Sequence, residues 1–172
     1  MILDPVSCDA GFRLLVMKYQ ESLYWHIRKL VHRHEDADDV IQNTFLKVYR
    51  NLKNFKKESK LYTWLYRIAT NESITHINDR KRRASYEDGQ ANELKDQLKA
   101  DTYFDGGEAE RMMALAIAEL PEKQRVVFNL RYYEEMSYND MSQVLETSVG
   151  ALKASYHHAV KKVEHYIKKA MS

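Results

Sequence analysis

Apolar residues return at three- and four-residue intervals along most of this chain, and the pattern lapses in one long stretch, 84–108. That spacing marks amphipathic helices. Residues that interrupt helices are correspondingly rare: two prolines and five glycines among 172 residues, with three of the glycines between 89 and 107. The pattern predicts an all-α protein of two small helical domains, 1–83 and 109–172, joined by an acidic flexible linker at 84–108. Within that linker, ASYEDGQANELKDQLKADTYFDGGE, only a weak helix over 90–99 is expected.

In the N-terminal part, Phe12, Leu15, Val16, Tyr19, Leu23, Ile27 and Leu30 place a helix over about 9–32. The acidic run HEDADD (34–39) suits the start of a second, and Val40, Ile41, Thr44, Phe45, Val48, Tyr49 and Leu52 carry it over about 36–52. After the polar segment 53–59, Leu61, Trp64, Leu65, Ile68 and Ala69 begin a third helix that runs to about Arg82. In the C-terminal part, a short helix carries Met112, Leu115, Ala116 and Leu120. Pro121 suits the first turn of the next, to about Tyr133. Ser137 is placed to N-cap a helix over 138–145. The turn Glu146-Thr147-Ser148 then leads into a last helix with the stripe Val149, Leu152, Tyr156, Ala159, Val160, Val163 and Ile167.

Charge is uneven although the formal net charge is only +2. Residues 1–46 carry −2, 47–83 carry +8, 84–146 carry −8 and 147–172 carry +4. Two basic blocks either side of an acidic one suggest two contact zones for a polyanion, although blocky surfaces also occur in helical proteins without one. The lone cysteine, Cys8, leaves no disulfide framework within the chain and fits a reducing compartment. No apolar run of about 18 residues occurs, and the first residues lack a basic-then-apolar layout, so neither membrane insertion nor secretion is expected. HExxH, CxxC and Gly-rich phosphate loops are absent, which argues against the commonest enzyme chemistries. His32, His34, Glu35 and Asp36 are the one cluster of metal-ligating types considered, and at a helix boundary they read as solvated surface. No catalytic residue, metal or cofactor is expected.

Two constellations carry function. The first is the short helix, three-residue turn and long helix at the C-terminal end, a helix-turn-helix layout whose second helix would lie in a major groove. Lys153, Ser155, His157 and His158 lie near its start, followed by Lys161, Lys162, Lys168 and Lys169. An ordinary helical hairpin with a polar face fits the same spacing. The second is FKKESKLYTWLYRIATNESITHINDRKRR (55–83). A helical wheel puts Tyr62, Tyr66, Thr70 and Ser73 opposite the apolar stripe, and aromatics among cations suit unpaired bases. The alternative is that both tyrosines pack on the first helix. Arg80-Lys81-Arg82-Arg83 suits phosphates, or is a solvated helix end.

Three segments resemble sigma factors of RNA polymerase: DADDVIQNTFLKVYRNLKNF (36–55), KLYTWLYRIATN (60–71), and 119–167 with its helix-turn-helix. With no room for a middle domain, the chain resembles the extracytoplasmic-function type. The resemblance implies an alternative sigma factor that directs core polymerase to specific promoters and promotes melting. It implies a cytoplasmic protein that holds the clamp helices of the largest subunit and the flap region. Asp38, Asp39, Gln42, Asn43, Phe45, Leu46, Tyr49 and Arg50 would form the polymerase-binding face. Lys56, Lys57, Ser59 and Lys60 would form the loop that captures a flipped minus-ten base, a step costing a few kcal/mol. Tyr62, Tyr66, Arg67, Asn71, Thr75, Arg80, Arg82 and Arg83 would hold the melted strand. Ser148, Lys153, Ser155, His157, His158 and Lys161 would meet the minus-thirty-five element.

Many relatives read VGTVKSRLHRA where this chain reads VGALKASYHHA. Ser155 and His158 stand in place of arginines, which removes bidentate pairing to guanine worth roughly 1–3 kcal/mol of discrimination per pair. The preferred element should therefore differ, or binding there should be weaker. An anti-sigma factor, sometimes at the inner membrane, is typical of the family, though the sequence names none. An ordinary helix-turn-helix regulator with an N-terminal dimerisation domain, and a protein-binding helical adaptor, are the competing classes. The TWLYRIA-type segment argues against the first and the basic block at 47–83 against the second.

Overall fold

The structure is a computed structural model that describes residues 5–84 and 107–172. It is all-α, with no strand among the described residues. The chain divides into two compact units, Met1–Lys81 and Arg82–Ser172. The weak helix expected over 90–99 lies outside the described residues, as does most of the segment read as linker.

The N-terminal unit contains α1 (Pro5–Val31), α2 (His34–Asn51) and α3 (Leu61–Ala84). Helix α1 begins four residues earlier than its apolar stripe predicts. It ends at His32, whose φ of 66° is left-handed and stops the helix. That turn is held from within, because the buried Arg28 guanidinium donates to the His32 carbonyl. Helix α2 buries Ala37, Val40, Thr44 and Val48 on one stripe. The Thr44 hydroxyl donates to the Val40 carbonyl at 2.8 Å, which satisfies it inside the core. A 3-10 turn, Leu52–Asn54, ends this segment, and Phe55 packs on Trp64 with centroids 4.9 Å apart.

Helix α3 departs from its sequence reading. Its buried residues are Thr63, Leu65, Tyr66, Ala69, Thr70 and Ser73, while Leu61, Trp64 and Ile68 are only half-buried. Leu65 and Ala69 of the expected apolar stripe are buried, and so are Tyr66, Thr70 and Ser73, which were expected on the opposite face. A polar partner on α1 meets this face: His26, fully buried, bonds Thr70 through Nε2 at 2.9 Å and packs its ring 4.9 Å from Tyr66. Ser73 satisfies its own hydroxyl by donating to the Ala69 carbonyl at 2.8 Å.

The C-terminal unit contains α4 (Glu108–Ala118), α5 (Glu122–Tyr132), α6 (Tyr138–Leu145) and α7 (Val149–Ala170). Ala116, Ile117, Leu120, Phe128, Ala159 and Val163 form one apolar cluster that joins α4, α5 and α7. Met141, Val144 and Leu152 are buried where α6 meets α7. Pro121 sits one position before the first helical residue of α5 rather than within the turn. Both starts in the helix-turn-helix are capped by serine: Ser137 Oγ accepts the Asp140 N–H at 3.1 Å, and Ser148 Oγ accepts the Ala151 N–H at 3.3 Å. Between them Glu146, at φ 52°, makes the left-handed residue that ends α6.

Candidate functional site

Three surfaces carry the residues singled out from the sequence. On the first, α1 and α2 leave an apolar groove lined by Phe12, Val16, Tyr24, Ile41, Phe45 and Tyr49. Phe12 meets Phe45 and Tyr49 edge-on, at 6.3 and 5.0 Å. Leu46 and Tyr49 are 53% and 46% exposed, which for large apolar side chains marks a surface suited to a protein partner. Asp39, Gln42, Asn43 and Arg50 are exposed on α2. Phe45 is half-buried as a wall of the groove. Asp38 is half-buried beside His34 at 3.3 Å.

On the second surface, Lys56, Lys57 and Lys60 are exposed in the loop before α3, and Ser59 is half-buried. Lys57 adopts φ 57°, so the loop turns sharply there. Arg67, Asn71 and Thr75 are exposed and four residues apart, which aligns them on one face of α3. Tyr62 is half-buried, with its ring 4.5 Å from that of Tyr66. Tyr66 itself is only 1% exposed, so its expected outward position is corrected: its ring belongs to the core against His26. Arg82 and Arg83 are exposed at the helix end. Arg80 is drawn back instead, donating to Asp36 at 2.9 Å while His76 holds the other carboxylate oxygen at 3.1 Å. Asp36 is thus an internal anchor between α2 and α3 and not the solvated surface group expected.

The residue missed from sequence is His26. It lies in step with Leu23, Ile27 and Leu30 on the buried stripe of α1, and only its polar type disguised that. Burial, with a smaller contribution from Lys29, lowers its pKa to about 3, so the ring is neutral at physiological pH.

The third surface is α7 with the start of α6. Lys153, His157, His158 and Lys161 are exposed along α7, and Ser155 is half-buried. The His157 and His158 rings lie 6.0 Å apart. Ser148 is exposed, but its oxygen already caps the helix. Tyr138, at the start of α6, lies between two cations: Arg131 at 4.9 Å and Lys153 at 5.7 Å from its ring. Arg131 also donates to the Met136 carbonyl at 2.9 Å, tying α5 to the loop before the helix-turn-helix. Further along, Lys161, Lys162, His165 and Lys169 border a groove floored by Ala116 and Leu120. Among the described residues, no helix is long and apolar enough to cross a membrane.

Comparison with known proteins places these surfaces in context. The family model for Sigma-70 region 2 matches residues 15–83, and that for Sigma-70, region 4 matches residues 110–163. The RNA polymerase sigma-H factor of Pseudomonas aeruginosa is 37% identical over 153 residues, covering 84% of this chain and 79% of that protein. The ECF RNA polymerase sigma-E factor of Haemophilus influenzae is 32% identical over 170 residues, covering 94% of this chain and 89% of that protein. Among solved structures, the Bartonella quintana sigma factor RpoE, determined with the anti-sigma factor NepR, has a TM-score of 0.74 at 20% identity, covering 92% of this chain and 97% of that one. CnrH, determined with the cytosolic domain of CnrY, has a TM-score of 0.68 at 23% identity, covering 94% and 90%. At those identities the two structures bear on the fold alone.

Proposed function

This chain belongs to the extracytoplasmic-function sigma factors, alternative subunits that direct RNA polymerase to promoters, and from that premise we propose which of its surfaces does each part of the work. The α1–α2 groove, with Gln42, Asn43, Leu46, Tyr49 and Arg50, holds the polymerase clamp helices. The loop 56–60 and the exposed line Arg67, Asn71 and Thr75 hold the melted minus-ten strand, with Arg82 and Arg83 on phosphates. Lys153, His157, His158 and Lys161 meet the minus-thirty-five duplex. The chain makes no covalent change itself; it places a polymerase that does. It works in the cytoplasm, and a partner that covers the α1–α2 groove would act as its anti-sigma factor.

The observation that carries this reading is the alignment of Arg67, Asn71 and Thr75 on one exposed face of α3, the helix that follows a loop with three exposed lysines. Cations reach phosphates, and the amide and hydroxyl reach base edges or the backbone. Either DNA surface alone supplies few contacts. Two surfaces on one chain raise each other's effective concentration, so the pair binds usefully where one does not.

The test is run-off transcription by core polymerase reconstituted with this protein on a library of genomic promoters. Discrete transcripts that depend on the protein are expected, and their start sites align to two promoter elements. Arg67→Ala with Asn71→Ala should abolish melting but leave polymerase binding intact. Lys153→Ala should weaken promoter binding most at high salt, because phosphate contacts carry the salt dependence. Duplex binding without polymerase, and no directed initiation, would overturn the assignment of surfaces.

A further inference from the structure

We infer that His26 is a positioning residue: from inside the N-terminal core it sets the rotation of α3 that turns Arg67, Asn71 and Thr75 outward. The inference rests on the reading of that face as the minus-ten surface. It begins with what α3 lacks. A helix is held in one rotation by bulky side chains that interlock with its neighbours. Of the six buried residues on α3, four are small: Thr63, Ala69, Thr70 and Ser73. Among the six, Leu65 and Tyr66 are bulky and adjacent in sequence, so shape interlocks at one point of the helix and less along the rest.

A directional bond supplies what packing does not. His26 on α1 is 0% exposed, and so is Thr70 on α3, 44 residues away. Their 2.9 Å contact joins a ring nitrogen to a hydroxyl, and such bonds weaken steeply away from good alignment. The imidazole also packs 4.9 Å from the Tyr66 ring, one turn earlier on α3. The other ring nitrogen, Nδ1, has no partner among the described residues, so the bond to Thr70 is the polar tie this side chain makes. A buried polar residue kept in this way fits a role in specifying alignment more than in adding stability.

Rotation matters because the functional residues are immediate neighbours of the buried ones. Arg67 follows Tyr66, and Asn71 follows Thr70. Side-chain tips stand about 6 Å from a helix axis, so a turn of about 30° shifts them by about 3 Å. That displacement exceeds the tolerance of a hydrogen bond. Two ion-pair ties from α2 to α3 sit nearer solvent than the fully buried His26–Thr70 contact. Lys47, which pairs with Glu72, is half-exposed, and the His76 and Arg80 contacts to Asp36 lie beyond Thr70 toward the helix end. The Lys47 pair, its cation half in solvent, constrains little, while the part-buried contacts to Asp36 add a second anchor toward the helix end.

The experiment compares His26→Leu, Thr70→Val and His26→Gln in reconstituted holoenzyme. Two quantities are read: affinity for core polymerase, and permanganate reactivity of unpaired minus-ten thymines at saturating sigma. The leucine and valine variants should bind polymerase within about twofold of the parent yet melt promoter about five- to tenfold less, the scale of one buried hydrogen bond. The glutamine variant, whose amide nitrogen reaches the place of Nε2, should recover most of the melting. Combining His26→Leu with Thr70→Val should do no more harm than either alone. Undiminished melting by both the leucine and valine variants would overturn the inference. So would parallel losses of polymerase affinity and melting, which would mean a merely structural role. Arg67→Ala and Asn71→Ala separate the two levels of argument. If they also melt normally, α3 is not the minus-ten face. If they fail while the His26 and Thr70 variants do not, only the positioning role is lost.

Discussion

Where the N-terminal unit buries His26, Thr44, Thr63, Thr70 and Ser73 among its aliphatic residues, the C-terminal unit buries Phe128, Met141, Leu152 and Val163, with Arg125 and Asn129 as its buried polar groups. The first interior carries a directional bond between helices, His26 to Thr70, while Thr44 and Ser73 bond within their own helices. The second is filled by volume, with Phe128 stacked between Tyr132 and Tyr156 at 5.2 and 5.8 Å. The two interiors fit the surfaces they carry. Strand capture by α3 depends on a helix in one rotation, which a hydrogen bond can set. Groove recognition by α7 depends on a rigid angle between two helices, which packed rings and capped starts can hold.

The comparison breaks first, and with the largest effect, at Phe128. Phe128→Ala opens a void in a filled core and should cost the C-terminal unit about 3–5 kcal/mol. Both tryptophans, Trp25 and Trp64, lie in the N-terminal unit, so tryptophan fluorescence reports that unit alone. In urea, the fluorescence transition should stay where it was while part of the helical circular dichroism melts earlier. A fluorescence transition that moves with the dichroism would show that the two interiors fold as one.

The next effect sharpens the contrast through pH. Folded His26 titrates at about 3, against 6.5 for an ordinary histidine. Between those values the unfolded chain holds more protons, so stability is complete above about pH 6.5 and declines as pH falls. The loss approaches about 1.4 kcal/mol per pH unit, roughly 2 kcal/mol by pH 5, and levels off below the folded pKa. Urea titrations followed by tryptophan fluorescence should show this slope in the parent and a flatter one in His26→Gln. An equally steep glutamine variant would assign the acid sensitivity to other groups.

The same division explains what could be read from sequence. The helices of the C-terminal unit were legible because their signals are local: Ser137 caps where Ser and Thr usually do, and the stripe from Leu152 to Val163 is apolar and regular, while the cap at Ser148 reads from sequence only as a turn residue and a DNA contact. Helix α3 was legible in extent and, through Leu65 and Ala69, in part of its buried face. Its inward face carries hydroxyls at Thr70 and Ser73, which a search for apolar spacing assigns to solvent. There the hydroxyl of Thr70 meets His26, a partner 44 residues earlier that local spacing does not reveal. Arg80 failed for a similar reason, since a basic run shows a phosphate site but not the carboxylate of Asp36 that the fold brings to it. Arg67, Asn71 and Lys153 are exposed, as their positions on the helices suggest.

Smaller again is the effect of the caps. Ser148→Ala removes the acceptor for the Ala151 N–H and should cost about 1 kcal/mol, read as an earlier dichroism transition with fluorescence unchanged. Ser137→Ala should cost a similar amount through the Asp140 N–H. If Ser148 acts only as a cap, Ser148→Asp should retain the stability, because aspartate caps equally well, while its charge beside phosphate weakens promoter binding.

The smallest effect tests whether buried bonds, and not surface pairs, hold α3. Lys47 on α2 pairs with Glu72 on α3; the lysine side chain is 54% exposed and the glutamate side chain 12%. Part-exposed pairs of this kind contribute at most about 0.5–1 kcal/mol, because solvent screens the charges and ordering two long side chains costs entropy. A double-mutant cycle of Lys47→Ala and Glu72→Ala should therefore give a coupling energy of that size or less, shrinking further in 1 M salt as screening tightens. Promoter melting by either variant should stay near the parent level. A coupling well above that range, with melting lost alongside it, would move control of the helix from the interior to its rim. The contrast between the two units would then lie in their surfaces, and His26 would be a passenger in a rotation that Lys47 sets.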